Sequence, residues 1–175
     1  MRIWIFILIM LLFFIFSPKQ FAFAQSSYVL PYPSEMPGSK LYKAFVLWDE
    51  LMAYWYFGNL SQFTYSLEQS DKYLVEAKTL FEYKQYYFAD NALKESDEYF
   101  HEAKRALDRA AVERKDIKDK KTILREAAKK HIEVLESSRN RVPETFLWQP
   151  EKSQPTMLSI GSNLSQSISV RKSCF

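Results

Sequence analysis

Two helix-length segments between Leu60 and Ala110 share one pattern, and this repetition constrains the fold more than any other feature of the chain. Residues 70–78 (SDKYLVEAK) are followed 26 residues later by residues 96–104 (SDEYFHEAK). The chain is expected to turn back between them, at residues 83–86. The pattern is repeated only once, and its spacing of 26 residues is shorter than the 34 residues of a tetratricopeptide repeat. No helical array is therefore predicted. It predicts an antiparallel helical hairpin at the centre of a small bundle.

Both segments carry an apolar or small residue at every third or fourth position. This is the spacing of a helix that packs on a neighbour at a shallow angle, as in a coiled coil. Large side chains in the first helix would face small ones in the second, which favours close packing. The first set comprises Leu60, Phe63, Leu67, Ser70, Leu74, Ala77 and Phe81. The second comprises Ala89, Ala92, Ser96, Tyr99, Ala103, Ala106 and Ala110, flanked by Leu93, Phe100 and Leu107.

Two further helices are predicted on either side of the hairpin. Ser39 and Gly58 bracket one of about 18 residues, since serine favours helix starts and glycine helix ends. A charged stretch at residues 114–121 is expected to break the chain before the other, which Val142-Pro143 ends. That helix would pack through Leu124, Ala127, Ala128, His131, Leu135 and Ser138. The predicted fold class is all-α, an up-down bundle of about four helices.

The segments outside the bundle differ from it in composition. Residues 25–38 contain three prolines among aromatic residues and are predicted to form an extended leader that lies in a groove of the bundle. The bundle itself is assigned to residues 39–143. Residues 144–175 are rich in serine and show no helical period, so this tail is predicted to be mostly disordered.

The N-terminus has the pattern of a signal peptide. Arg2 precedes an unbroken apolar run from Ile3 to Phe16, and Ala22-Phe23-Ala24 forms a small-x-small cleavage site. The run is shorter than the roughly 20 residues that span a bilayer. Cleavage is predicted after Ala24, which makes residues 1–24 the signal peptide and the protein exported, extracellular or in the cell envelope. An uncleaved membrane anchor is the alternative.

Charge and cysteine content limit the classes of function. The predicted mature chain is nearly neutral, but residues 25–103 are acidic (net −6) and residues 104–141 are basic (net +6). This polarity suggests head-to-tail self-association, which salt would screen. The single cysteine, Cys174, excludes an internal disulfide and any site built from several cysteines. Packing must therefore hold the domain together.

At its two ends the bundle region resembles a known family. Residues 28–33 (YVLPYP), Met36-Pro37-Gly38-Ser39 and Leu41-Tyr42 resemble the entry of the domain-of-unknown-function family 5667, found in exported bacterial proteins, many from candidate phyla. Residues 131–136 and 141–144 and the Glu-Ala-Lys pairs resemble the same family. The resemblance covers roughly residues 28–144 and implies an exported α-helical domain with no assigned activity. Members continue after the Val-Pro-Glu turn into another charged helix, which residues 145–148 and the Ser-rich tail replace here.

The residues that could carry catalysis or bind a metal are few. His101 and His131 are the only histidines, no serine lies in a nucleophile elbow and no glycine-rich phosphate loop is present, so no enzyme and no cofactor is expected. Glu98 and His101 have the Glu-x-x-His spacing of di-iron carboxylate bundles. The second copy of that motif is missing, because Ala128 precedes His131 by three positions. Metal binding by this pair is therefore the alternative function, and a hydrogen-bonded, half-buried structural role is expected for His131.

The remaining candidates are surfaces for a partner. Residues 48–57 and 86–88 contain more aromatic side chains than a small core needs, and half of these side chains are expected to be exposed. The basic stretch could bind an anionic envelope surface, but interleaved acidic residues favour a solvated, ion-paired face, and without aromatics to stack on bases nucleic acid is not expected. The candidate partner surface comprises Trp48, Trp55, Tyr56, Arg114, Lys115, Lys118, Lys121, Lys129 and Lys130. The predicted function is a non-enzymatic interaction or structural protein that binds an unknown protein or a second copy, with peripheral membrane binding as a further alternative.

Overall fold

The structure, a computed structural model, describes residues 26–33, 36–152 and 154–175. The predicted signal peptide lies outside the described residues. Five helices are described, and they are numbered here in chain order. They are α1 (Tyr42–Ala53), α2 (Asn59–Glu82), α3 (Tyr86–Val112), α4 (Lys118–Arg139) and α5 (Ile160–Lys172). An antiparallel hairpin of β1 (Phe146–Trp148) and β2 (Thr156–Leu158) lies between α4 and α5, with Phe146 opposite Leu158.

The predicted helical hairpin is confirmed as the pair α2 and α3. All of the predicted packing positions are buried except Leu60 and Tyr99, which are partly exposed at the edges. At the centre, Ser70 and Ser96 each donate a side-chain hydrogen bond to the other's backbone carbonyl, both at 2.8 Å. The two serines are equivalent positions of the repeated pattern, so the repeat marks the point where the helices meet.

The turns on either side of α3 use residues other than glycine in a left-handed conformation. Lys84 has φ +60° and Arg114 has φ +59°. Each is followed by a backbone N–H that reaches back to the last turn of the helix, from Gln85 to Leu80 and from Lys115 to Ala110. These bonds satisfy carbonyl groups that a helix end leaves free. The break predicted between the third and fourth helices is therefore confirmed.

α4 packs through every position predicted for it. Leu124, Ala127, Ala128, His131, Leu135 and Ser138 are all buried. At its start, the side chain of Asp116 accepts a hydrogen bond from the backbone N–H of Lys118 at 3.1 Å. The acidic group thus satisfies one of the free N–H groups at the beginning of the helix.

The prediction of a disordered tail is wrong. Residues 146–148 and 156–158 form the hairpin, and α5 buries Ile160, Leu164, Ile168 and Arg171 against the bundle. Its three aliphatic residues are four positions apart and share one helical face, while serine, glycine, asparagine and glutamine fill the intervening positions. The tail therefore completes the fold.

The β-hairpin covers some of the aromatic side chains at the start of α3. The ring of Trp148 stacks on Tyr87 with centroids 3.9 Å apart, and Phe146 packs on Tyr86 at 4.7 Å. Phe88, in contrast, is 47% exposed. Tyr86 and Tyr87 therefore belong to the packed aromatic residues, whereas Phe88 does not.

The leader packs along the bundle as predicted. The backbone N–H of Ser26 donates to Glu133 of α4 at 2.7 Å, and its hydroxyl donates to the carbonyl of Glu126 at 2.9 Å. Leu30 and Met36 pack against the hydrophobic cluster that α2, α3, α4 and α5 build together. The leader therefore closes a groove between helices.

α1 is shorter than predicted, 12 residues in place of about 18. It ends at Ala53, and Gly58 (φ +84°) precedes α2 as its N-cap residue. The four aromatic residues 54–57 have modest helix propensity. The ring of Tyr56 packs against Tyr65 of α2 with centroids 5.1 Å apart.

Candidate functional site

A buried polar network joins α2, α3, α4 and α5 around His131. Asp71 follows Ser70 and Asp97 follows Ser96, so the same pattern places one carboxylate on each helix of the hairpin. Asp71 is bonded to the imidazole Nε2 of His131 at 2.7 Å and accepts a hydrogen bond from the hydroxyl of Tyr28 at 2.6 Å. Asp97 pairs with the guanidinium of Arg171 and accepts a bond from Ser167 at 2.6 Å. Each aspartate of the repeated Ser-Asp pair therefore has a basic partner and a hydroxyl partner.

Arg171 connects the two halves of this network. Its Nε donates to Nδ1 of His131 at 3.4 Å, and its Nη2 donates to the hydroxyl of Ser96 at 2.9 Å. An Nδ1 that accepts a hydrogen bond carries no proton, so Nε2 holds the proton and donates it to Asp71. His131 is fully buried, more than the half-burial expected, because Arg171 and α5 cover it.

The side chains of this network are occupied by contacts with one another. Each ring nitrogen of His131 has a partner, and the guanidinium of Arg171 also lies 5.0 Å from the centroid of Phe100. A fully buried imidazole with both nitrogens occupied cannot reach a substrate, and general acid–base catalysis requires such contact. We conclude that His131 is structural.

The pKa of His131 predicts how stability depends on pH. Burial lowers this pKa, and the nearby positive charge of Arg171 acts in the same direction against the bond with Asp71. The unfolded chain takes up a proton near its ordinary pKa of about 6.5, while the folded state keeps the imidazole neutral. Since the unfolded state then binds more protons, stability is complete above about pH 6.5 and declines as pH falls below it.

We therefore expect the free energy of unfolding to fall by about 1 kcal/mol more for the wild type than for His131→Gln between about pH 7.5 and pH 5.5. Urea unfolding followed by circular dichroism measures both. Burial raises the pKa values of Glu68, Glu76 and Glu95, so these groups make the folded state more stable as pH falls. All variants contain them, so the difference between variants reports on His131. His101→Gln, at an exposed position, should retain the wild-type slope. Equal slopes for wild type and His131→Gln would contradict the assignment.

The surface feature that separates this fold from an ordinary bundle is the orientation of α1. Of its twelve residues, all of which the structure describes, none is buried. Its partly covered residues recur every three or four positions and face the bundle. They include Tyr42, whose hydroxyl donates to Glu76 at 3.0 Å, and Asp49, which pairs with Lys72 and whose carbonyl accepts from Tyr65 at 2.9 Å. α1 is therefore held largely by polar contacts.

Most of the large apolar residues of this segment point away from the bundle. We call the following set the outward face of α1: Leu41, Phe45, Leu47, Trp48, Leu51 and Trp55. Their exposed fractions lie between 47% for Phe45 and 72% for Trp55, and Tyr54 and Phe57 beyond them are 76% and 83% exposed. A contiguous apolar surface of this kind on a small domain is typical of an interaction site. Trp48 and Trp55 of the predicted partner surface lie on it, whereas Tyr56 turns inward to Tyr65.

The basic residues of the predicted partner surface lie on two elements, the turn after α3 and helix α4. Arg114 and Lys115 lie in the turn after α3, where Lys115 is beside Gly58 and pairs with Glu113 at 2.8 Å. Lys118 and Lys121 are exposed in the first turn of α4. Further along α4, Lys129 pairs with Glu126 at 2.7 Å and Lys130 pairs with Glu133 at 2.8 Å. Three of these six residues thus form ion pairs within the chain.

The predicted metal-binding pair lies on the surface of α3. Glu98 and His101 are both exposed and border a shallow pocket next to α5. Within the described part of the chain, no group of three or more histidine, cysteine or acidic side chains is placed to hold a metal ion. In the same residues, no helix is both long enough and apolar enough to cross a membrane.

Fold and surface together define an all-α bundle domain whose peripheral first helix presents apolar side chains outward. Residues 34–145 match the model of a family described as a domain of unknown function (DUF5667), and the chain belongs to this family. No curated protein and no solved structure matches the chain. The family match confirms the resemblance found in the sequence and covers α1 to α4.

Sequence reasoning missed Arg171 and the roles of Asp71 and Asp97. The available signal was the repeated Ser-Asp pair. A serine at a packing position places the following aspartate beside the core, where a carboxylate requires a partner. The partner of Asp71 was within the predicted bundle, but that of Asp97 lay in a segment assigned to disorder.

Proposed function

We propose that this is an exported, non-enzymatic interaction protein of the cell envelope or exterior, and that the outward face of α1 is its docking surface. The observation that carries the proposal is the orientation of α1, which contacts its own bundle through Tyr42 and Asp49 and leaves Trp48 and Trp55 in solvent. Exposing such side chains to water is unfavourable, and covering them on association recovers that free energy.

Export is proposed from the sequence pattern of residues 1–24, a basic residue, an apolar run and a small-x-small site before residue 25. The non-enzymatic role is supported by the environment of His131, which is fully buried with both ring nitrogens bonded. We therefore assign the function to the outward face of α1 and not to a catalytic group.

The partner that best fits the outward face of α1 is a second copy of the same chain. Lys40 lies just before α1, Lys43 lies in its first turn and Glu50 lies in its second half, and all three are exposed. An antiparallel pair of α1 helices would place the lysines of each copy beside Glu50 of the other. It would also bring together the two apolar faces and oppose the two helix dipoles. Such a two-fold contact is self-complementary and closed, so it produces a dimer.

Sedimentation equilibrium of residues 25–175 at low and at high salt tests the proposal. We expect a dimer at both salt concentrations, because apolar burial is not screened by salt. Trp48→Ser/Trp55→Ser should be monomeric and as stable as the wild type, since both side chains are exposed. The matched control Val112→Ser/Met157→Ser removes two exposed apolar side chains elsewhere and should remain dimeric.

Three outcomes would contradict the proposal. A monomer at both salt concentrations excludes self-association. A complex that dissociates at high salt would instead point to the opposite charges of residues 25–103 and 104–141. A monomer that co-sediments with anionic vesicles through Trp48 and Trp55 would assign the face to a membrane surface.

A further inference from the structure

A cleft lies under α1, on the side that faces the bundle. Its volume is about 470 Å³, within the range typical of small-molecule sites. α1 forms one wall with Tyr42, Val46 and Glu50, while α2, α3 and the end of the leader, at Pro37 and Gly38, form the rest. The cleft is separate from the outward face of α1, so its occupant and the partner of that face can be tested independently.

The lining of the cleft is acidic. Asp49, Glu50, Glu76 and Glu95 all contribute to it, and among the described residues that line it none is basic. Asp49 is paired with Lys72, which lies outside the lining. Glu50, Glu76 and Glu95 form no salt bridge with any described residue. The cleft therefore holds three carboxyl groups outside any ion pair, with the ammonium group of Lys72, 5.6 Å from the centroid of the Tyr73 ring, as the neighbouring positive charge.

Glu76 is the buried member of this group. It is 3% exposed, and its Oε1 accepts the hydroxyl of Tyr42 at 3.0 Å, but its Oε2 is buried with no hydrogen-bond partner among the described residues. Burial raises the pKa of Glu76 and also that of Glu95. A buried carboxylate oxygen without a donor is costly, and a bound donor would remove the cost.

Besides carboxyl groups, the cleft contains aromatic rings, which also favour a bound cation. Tyr73 and Tyr99 stack with centroids 5.6 Å apart and an interplanar angle of 7°, and Tyr42 and Phe88 also line the cleft. The face of an aromatic ring attracts a cation, and desolvation strengthens the attraction. Carboxylates and ring faces together are the surroundings that an alkylammonium group requires.

The spacing of the carboxylates distinguishes an organic cation from a metal ion. In the described part of the chain these acidic residues do not form a group close enough to hold one metal ion. They are spread around a cavity with room for several heavy atoms. We propose that the cleft under α1 binds a primary alkylammonium group, from a free aliphatic amine or a lysine side chain, between Glu76, Glu95 and the ring pair of Tyr73 and Tyr99.

Isothermal titration calorimetry of residues 25–175 tests the proposal with three probes. 1,5-Diaminopentane represents the free amine, an acetylated and amidated Gly-Lys-Gly peptide represents the lysine side chain, and 1,5-pentanediol is the uncharged control. We expect saturable binding of the diamine, the peptide or both, and none of the diol. Binding of only one identifies the source of the ammonium group.

The variants locate the site. Glu76→Gln keeps the shape of the side chain, and Glu95→Gln changes an exposed position that cannot disturb folding. Each should weaken binding roughly tenfold or more, the typical effect of removing one charged hydrogen-bond partner. Glu82→Gln, an equal change of charge at the exposed end of α2, should leave binding unchanged. Binding of neither probe, or equal binding by all three variants, would overturn the proposal.

Discussion

Removal of residues 145–175 is expected to abolish cooperative folding of the domain. α5 buries three aliphatic side chains, Ile160, Leu164 and Ile168, each of which contributes about 1.5–3 kcal/mol. Truncation would also expose the core and remove Arg171 from Asp97 and His131. The total is comparable with the whole stability of a typical domain, about 5–15 kcal/mol. Thermal unfolding of residues 25–144 and 25–175, followed by circular dichroism, measures the difference.

Two substitutions in the complete chain provide the control for that truncation. Leu164→Asp places a charge at a fully buried position of α5 and should reproduce most of the loss. Ser162→Asp makes a similar change two residues earlier, at an exposed position, and should have little effect. A truncated chain that unfolds cooperatively at the wild-type temperature would show that α5 is not part of the folded unit.

Asp97→Ala is expected to destabilise the domain by about 3 kcal/mol, because it leaves the fully buried guanidinium of Arg171 without its carboxylate. Breaking one side of a buried ion pair is much costlier than replacing both sides with apolar groups. The double variant Asp97→Ala/Arg171→Met should therefore recover most of the loss. Urea unfolding at neutral pH measures all three free energies.

Asp108→Ala, at an exposed position of the same helix, serves as the matched control and should change stability by less than about 0.5 kcal/mol. If Asp97→Ala were as stable as this control, the pair would contribute nothing. If the double variant were less stable than Asp97→Ala alone, Arg171 would act through contacts other than Asp97, such as those with Ser96 and His131.

The central hairpin could be predicted from the sequence because its signals were local and agreed with one another. Large residues on α2 and small ones on α3 recur at helical spacing, and the repeated pattern indicated a turn between its two copies. The packing of α4 was predictable for the same reason. In these elements, periodicity alone identifies the buried face.

α5 could not be predicted in the same way. Most of the residues that separate its aliphatic side chains are serine, glycine and asparagine, and the low helix propensity of these residues hides the apolar stripe. One buried position is an arginine, which a search for apolar periodicity passes over. Its guanidinium is paired with Asp97 and also bonded to Ser96 and His131, which are all distant in sequence. The burial of α5 therefore depends on tertiary contacts and not on a local sequence pattern.

The candidate site was predictable in composition but not in orientation. The sequence showed that residues 48–57 and 86–88 contain more aromatic side chains than a small core needs. Which side of α1 faces the bundle depends on contacts with α2, chiefly Tyr42 with Glu76 and Asp49 with Lys72. Those contacts join residues more than 20 positions apart, so helical periodicity could not reveal them.

Hydrogen–deuterium exchange of residues 25–175 at low and high protein concentration tests most directly whether the outward face of α1 is the docking surface. At low concentration the amides of residues 42–53 should exchange faster than those of α2 to α4, because none of the residues of α1, a helix described in full, is buried. At high concentration they should become protected, while amides elsewhere are unchanged. Protection confined to another helix, or none at any concentration, would contradict the account.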